Sequence, residues 1–181
     1  LAKFLNRIPR LIRTVAHDLG KLIKYEIKGA EVLVDRNVAK ALNLSLTHIL
    51  RNSCDHGIEN PDDRKRLGKD SSGTIVLEVK EHKENIIVKI SDDGKGMDKD
   101  LILAKAIKNE LVPTNKINHL TDEEIFDFIF HPGFSTAEEI TSVSGRGVGM
   151  DVVKNHIDKL NGEVHIKSQI GKGTEITITI P

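Results

Sequence analysis

The 181-residue sequence predicts an α+β two-layer sandwich, a mostly antiparallel mixed sheet with helices on one face. Three observations carry this expectation. Apolar and polar residues alternate in neighbouring pairs of segments: Ile75, Leu77 and Val79 precede Ile86, Val88 and Ile90, while Val164 and Ile166 precede Ile176, Ile178 and Ile180. Segments of helical period are inserted between these pairs in blocks, which argues against a doubly wound parallel sheet. The chain is 38% hydrophobic and 30% charged, and one of this length buries about 70% of its unfolded surface in a single core.

The elements follow in chain order. Phe4, Ile8, Leu11, Ile12, Val15 and Leu19 stand at helical spacing, and Pro9 favours a helix that starts near residues 8–10. Lys3, Arg7, Arg10 and Arg13 give that helix a basic face, either solvated or set against a neighbouring domain. Ile23, Tyr25 and Ile27 alternate with lysine and glutamate as a half-buried strand, and residues 32–34 read as a second short one. Asp35 caps a long helix running to about His56, with Val38, Leu42, Leu46, Ile49 and Ser53 facing inward. Residues 57–72 are polar and hold one short helix, and residues 82–85 join the next two strands as a hairpin. A helix is expected from about Asp98 to Asn109, and Thr121 with Glu124 forms a capping box for another that ends before Pro132. Residues 131–146 show no period and read as a long functional loop. The helix from about Val148 to Leu160 stops at Asn161-Gly162.

Composition excludes several classes. With 27 basic against 27 acidic side chains there is no bulk attraction to nucleic acid, and 3% aromatics without tryptophan argue against base-stacking surfaces. The single Cys54 allows no internal disulfide and suits a reducing compartment. No apolar run exceeds four residues, so no membrane insertion is expected. Leu1 opens no charged-then-apolar leader, so no signal peptide is expected and the chain reads as a piece of something longer.

Four clusters carry chemistry. In HILRNSCDHGIE, residues 48–59, His48, Asn52 and Asp55 or His56 recur every three or four positions and share one helix face. An asparagine oxygen suits magnesium when phosphates supply the charge, and imidazoles bond phosphate oxygens. Asp92-Asp93-Gly94-Lys95-Gly96 ends a strand, where glycines allow close backbone approach and a carboxylate can accept from an exocyclic amine. Gly145-Arg146-Gly147-Val148-Gly149-Met150 opens a helix whose amides form an anion site. Gly171-Lys172-Gly173-Thr174 alone is a hairpin turn. Neither a dinucleotide fingerprint nor a phosphate-binding Walker loop is present, and no zinc ligand set or serine nucleophile elbow occurs.

Together, in this order, these clusters resemble the GHKL ATP-binding domains. HILRNSCDHGIE, DDGKGMD, HPGFSTAEEITSVSGRGVGMDVV and GKGTEITITIP are similar to stretches of the CheA-type chemotaxis histidine kinases. The resemblance implies the Bergerat ATP-binding fold with an ATP lid over residues 9–181, residues 1–8 being the end of an upstream linker or dimerisation segment. It implies that Asp92 binds the adenine amine and that Asn52 holds Mg²⁺. His48, Asp55, His56 and Lys105 would lie on the triphosphate side, and Ser135 and Thr136 in the lid. Gly145, Arg146, Gly147, Val148, Gly149 and Met150 would wrap the phosphates, with Gly94, Gly96 and Thr174 on the adenine side. His48 and His56 join Asn52 as the expected catalytic residues.

The resemblance further implies phosphoryl transfer to a histidine. GHKL enzymes that hydrolyse ATP carry a general-base glutamate four residues before the asparagine, where this chain has His48. A metaphosphate-like transition state needs positioning and charge neutralisation more than a strong base. His17 is slightly similar to a phosphoacceptor box but lacks the later proline, so the acceptor is expected on a separate domain. Dimerisation and coupling domains, a chemoreceptor and adaptor array and response regulators are the implied partners, in the bacterial cytoplasm. Leu101 departs from the pattern, standing where many relatives have a lysine. A water-hydrolysing ATPase and a non-enzymatic interaction module are the competing readings.

Overall fold

The structure, a computed structural model, describes residues 1–134 and 149–181. Its sheet has the order β1-β2-β3-β5-β4, formed by β1 (Ile23–Lys28), β2 (Gly73–His82), β3 (Asn85–Asp92), β4 (Glu163–Gln169) and β5 (Gly173–Ile180). β1 runs parallel to β2 and the other neighbours are antiparallel, so the sheet is mixed as expected. The helices are α1 (Ala2–Leu5), α2 (Ile8–Asp18), α3 (Arg36–Asn52), α4 (Pro61–Arg66), α5 (Lys99–Lys108), α6 (Asp122–Asp127) and α7 (Met150–Asp158).

Alternation along the strands decides which face is buried. Ile75, Leu77, Val88, Ile90, Ile166 and Ile178 are at most 1% exposed and share one core with Ile12, Leu42, Leu46, Ile49, Val153 and Ile157 from the helices. Each such side chain contributes about 1.5–3 kcal/mol by leaving water. The opposite face stays polar, with Lys89 and Glu175 paired across β3 and β5 at 3.2 Å. Local signals hold the helix ends: Asp35 accepts from the Asn37 amide at 2.7 Å, Asp98 caps α5, and Thr121 and Glu124 bond each other's backbone.

As Pro9 leads one to expect, α2 starts at Ile8, after the single turn α1 and a break at Asn6-Arg7. Two expectations need correction. Residues 32–34 form no strand. Gly29, at φ +75°, turns the chain where β1 ends; a Cβ there would lie 1.7 Å from the Val79 carbonyl oxygen. The segment beyond leaves the sheet edge, with Leu33 90% exposed. Finally, the long α-helix ends at Asn52 and continues as a wider π-turn, Ser53–Gly57, closed by the Ile58 amide on the Ser53 carbonyl at 2.8 Å.

Candidate functional site

The C-terminal end of α3, the π-turn, the end of β3 and the start of α7 provide the site. His48 and Asn52 lie one helical turn apart, and the Asn52 Nδ2 donates to His48 Nε2 at 3.2 Å and to Met150 Sδ at 3.6 Å. Both hydrogens of the amide nitrogen are thereby used, which turns Oδ1 into the end available to a cation. Burial, then the nearby Arg51 charge, holds the His48 imidazole below its usual range, so a neutral ring accepts this bond.

Asp92 stands at the other side of the π-turn. Its Oδ1 accepts from the Gly94 amide at 3.0 Å. A Cβ on Gly57 would approach Oδ2 to 3.1 Å, and one on Gly94 would lie 2.2 Å from the Gly57 carbonyl oxygen. Glycine at both positions therefore lets the π-turn press directly on the end of β3. Burial raises the Asp92 carboxyl above its ordinary range, although the Gly94 amide, the Ser53 hydroxyl and the Thr174 amide pull it back. Ser53 follows Asn52 directly, so one short stretch of chain links the amide to the carboxylate.

A charged network braces this corner from behind. Arg64 is 1% exposed, and its guanidinium bonds Glu59 Oε2 at 2.9 Å, Asp93 Oδ2 at 3.0 Å and the Asp70 carbonyl at 2.7 Å. Lys69 bonds Glu59 Oε1 at 2.6 Å and the Asp93 and Gly94 carbonyls at 3.0 and 2.8 Å. Burial pushes Glu59 upward, but its bonds to Lys69, its own backbone amide and Arg64 outweigh that and leave it below the usual range. Asp93 Oδ1 takes the Thr74 amide at 2.8 Å, so Asp93 is structural while its neighbour Asp92 faces the site.

The other expected residues fall as follows. Gly96, at φ +70°, packs on the β4–β5 turn, where a Cβ would lie 2.1 Å from the Gln169 carbonyl oxygen. Thr174 pairs with Asp92 in the β3–β5 ladder, and its Oγ1 lies 2.9 Å from Ser168 Oγ. A hollow of about 390 Å³ opens here, lined by Ser91, Asp92, Ser168, Gln169 and Thr174; Asn52 is not among its lining residues. His56 Nε2 faces Asp55 Oδ2 at 3.7 Å on the exposed side of the π-turn. Lys105 Nζ sits 5.5 Å from the centre of the Phe134 ring. Gly149 caps α7 without a side-chain bond, and Met150 is its first residue. Ser135, Thr136, Gly145, Arg146, Gly147 and Val148 lie outside the described residues.

Sequence reasoning missed Ser168, which receives the Met97 amide at 2.8 Å and donates to the Gly173 carbonyl at 2.9 Å. It also missed Arg64, Lys69 and Lys21. Ser168 faces Thr174 across the ladder, a relation visible only once strand register is known. A larger groove of about 600 Å³ along the first turns of α3 contains none of the site residues.

The residues present suit a nucleotide with its metal. Among the described residues, no group of three or more His, Cys, Asp or Glu side chains could hold a metal ion. The Asn52 oxygen is the hard, neutral ligand such an ion would take alongside phosphate oxygens. Asp92 is a partly buried acceptor bonded by backbone amides, a group suited to an amine donor.

The fold and site define an ATPase domain of the histidine kinase type. Residues 41–181 match the family described as histidine kinase-, DNA gyrase B-, and HSP90-like ATPase, and the chain belongs to that family. Within it the chain is 43% identical over its whole length to the sensor histidine kinase CheAY of Helicobacter pylori, of which it covers 22%. It is 40% identical over its whole length to the chemotaxis protein CheA of Halobacterium salinarum, covering 27%, and 43% identical over 97% of its length to that of Salmonella typhimurium, covering 26%. The chain thus spans about a quarter of these relatives. The histidine kinase domain of the Erythrobacter litoralis EL346 blue-light activated kinase shares the fold at TM-score 0.58 and 18% identity, over 98% of this chain and 64% of that one. The mycobacterial sensor histidine kinase MprB does so at 0.54 and 16%, over 98% and 93%.

Proposed function

We propose that the chain binds ATP with Mg²⁺ and presents the γ-phosphoryl group to a histidine on a separate domain, as the catalytic domain of a CheA-type kinase in chemotaxis two-component signalling. The observation that carries this reading is the partly buried Asp92 carboxylate joined through one π-turn to an Asn52 amide whose nitrogen is already committed. Asp92 accepts from the adenine amine, and Gly94, Gly96 and Thr174 shape that side. Asn52 offers Oδ1 to the metal, which when bound neutralises phosphate charge. His48 keeps the Asn52 amide in that orientation. Asp55, His56, Lys105 and the segment from Ser135 to Met150 supply the phosphate side.

His48 is neutral and occupied with Asn52, and no carboxylate stands at its position to activate water. Transfer to an imidazole needs in-line positioning more than a base, which favours transfer over hydrolysis. Dimerisation and coupling domains, a receptor array and response regulators in the bacterial cytoplasm complete the proposal. No helix among the described residues is long and apolar enough to cross a membrane.

The test has two parts. A non-hydrolysable ATP analogue is titrated with and without Mg²⁺, and Asn52→Ala should lose the metal-dependent part of the affinity while keeping most of the metal-free part. Labelled ATP is then supplied with an isolated phosphoacceptor domain. Label should appear on that domain's histidine; free phosphate without labelled protein would favour the hydrolytic reading instead.

A further inference from the structure

Lys21 lies outside every motif, yet its side chain ends at the wall of the site. α2 closes with the Lys21 amide on the Ala16 carbonyl at 2.8 Å and Gly20 at φ +65°, a left-handed stop that turns the chain sharply. From there Lys21 Nζ donates to the Cys54 carbonyl at 2.9 Å and also to the Asp55 carbonyl. These carbonyls belong to the π-turn, which the chain leaves at Ile58 with extended backbone. They are the acceptors that a helix end leaves without amide partners. An ammonium group is well suited to them, since it carries several donors and a charge opposite to the carbonyl end of the helix dipole. Burial lowers the Lys21 pKa, with the Asp55 charge opposing, so the group has given up water to make these bonds.

The π-turn is also held elsewhere, with Cys54 and the adjoining Ile58 each 1% exposed in the core. Its closing bond is Ile58 amide to Ser53 carbonyl at 2.8 Å, and Lys95 amide to Gly57 carbonyl at 2.9 Å ties it to the segment after β3. Ser53 and Gly57, the first and last residues of the turn, are the ones that touch Asp92. A shift of the carbonyls between them would move both contacts.

We propose that Lys21 is a positioning residue for nucleotide: its ammonium holds the π-turn in the form that presents Asp92 to adenine, and so couples the placement of α2 to nucleotide affinity. Lys21 itself touches no nucleotide. The proposal rests on the assignment of Asp92 to adenine. It differs from that assignment in making a residue of the segment between α2 and β1 a determinant of binding.

The experiment compares the full chain with Lys21→Met, which keeps the aliphatic stem, and with Lys21→Arg, which restores a cation with several donors. ADP affinity is measured without metal, and amide hydrogen exchange is followed at Ile58 and Lys95 in the nucleotide-free protein. Lys21→Met should bind ADP about tenfold more weakly, the loss of a charge-assisted bond, and should exchange faster at both amides. Lys21→Arg should recover most of both. Exchange unchanged in Lys21→Met would overturn the clamp. Faster exchange with unchanged ADP affinity would overturn the coupling, and equal losses in Lys21→Arg and Lys21→Met would overturn the role of the cation. If the unaltered chain fails to bind ADP, the adenine assignment falls and the coupling with it, whereas a variant defect against a binding parent concerns Lys21 alone.

Discussion

At the level of single residues, Asp92 shows a conflict between stability and recognition. Its carboxyl is raised by burial, so the folded state disfavours the charge that the proposed contact with adenine would use. The folded pKa lies above the unfolded one, so its contribution to stability is full at pH below the unfolded value. That contribution is lost as pH rises through the folded value. Asp92→Asn removes the charge while keeping an acceptor for the Gly94 amide. We expect its melting temperature at neutral pH to equal or exceed that of the parent, while ADP affinity falls by more than tenfold. Calorimetric melting and titration on the same sample check both halves. A loss of stability together with affinity would mean that the carboxylate is mainly a structural acceptor. Asp92 is singled out in the sequence through the family resemblance, since by itself a carboxylate ahead of Asp93-Gly94-Lys95-Gly96 at a strand end could be an ordinary turn. Its neighbour Asp93 looked equivalent, and only the Thr74 and Arg64 bonds separate their roles.

Among the elements, the stretch from the π-turn through α4 is where pattern reading lost resolution. Periodicity carried α3 correctly to Asn52, since Leu42, Leu46 and Ile49 keep the helical spacing. It could not see the widened turn, because one extra residue per turn leaves no mark in so short a segment. The polar run 57–72 gave no hint that Arg64 would be buried, since charge in a sequence reads as surface. Arg64→Met should destabilise the chain by about 1.5–3 kcal/mol, because it removes charge-assisted bonds to Glu59 and Asp93 while Glu59 keeps Lys69; urea denaturation measures this. Glu59 adds a pH signature. Its folded pKa is below the unfolded one, so its stabilisation is complete above the ordinary glutamate range and is lost as pH falls through the depressed value. Glu59→Gln should therefore be less stable at neutral pH and show a shallower loss on acidification than the parent. An equally steep acid transition in both would assign that transition to other carboxylates.

Across the whole molecule, the two-layer architecture was legible from strand alternation, and the antiparallel pairs β2–β3 and β4–β5 follow from short connections. The parallel contact of β1 with β2 was not, because a crossover partner is set by the packing of α3 and leaves no local signal. That contact has a consequence for how the domain can be cut. The family match begins at residue 41, beyond both α2 and β1. A chain shortened to that point would strip the outer row of β2, from Gly73 to Glu78, of its partner and leave its backbone donors and acceptors unmet. It would also bare the apolar side chains that Ile8 and Ile12 now cover. We expect the shortened chain to self-associate at concentrations where the full chain scatters little light, and a monodisperse, folded 41–181 piece would contradict this. The first strand thus acts as a selvedge, finishing a border that would otherwise seek another copy of itself.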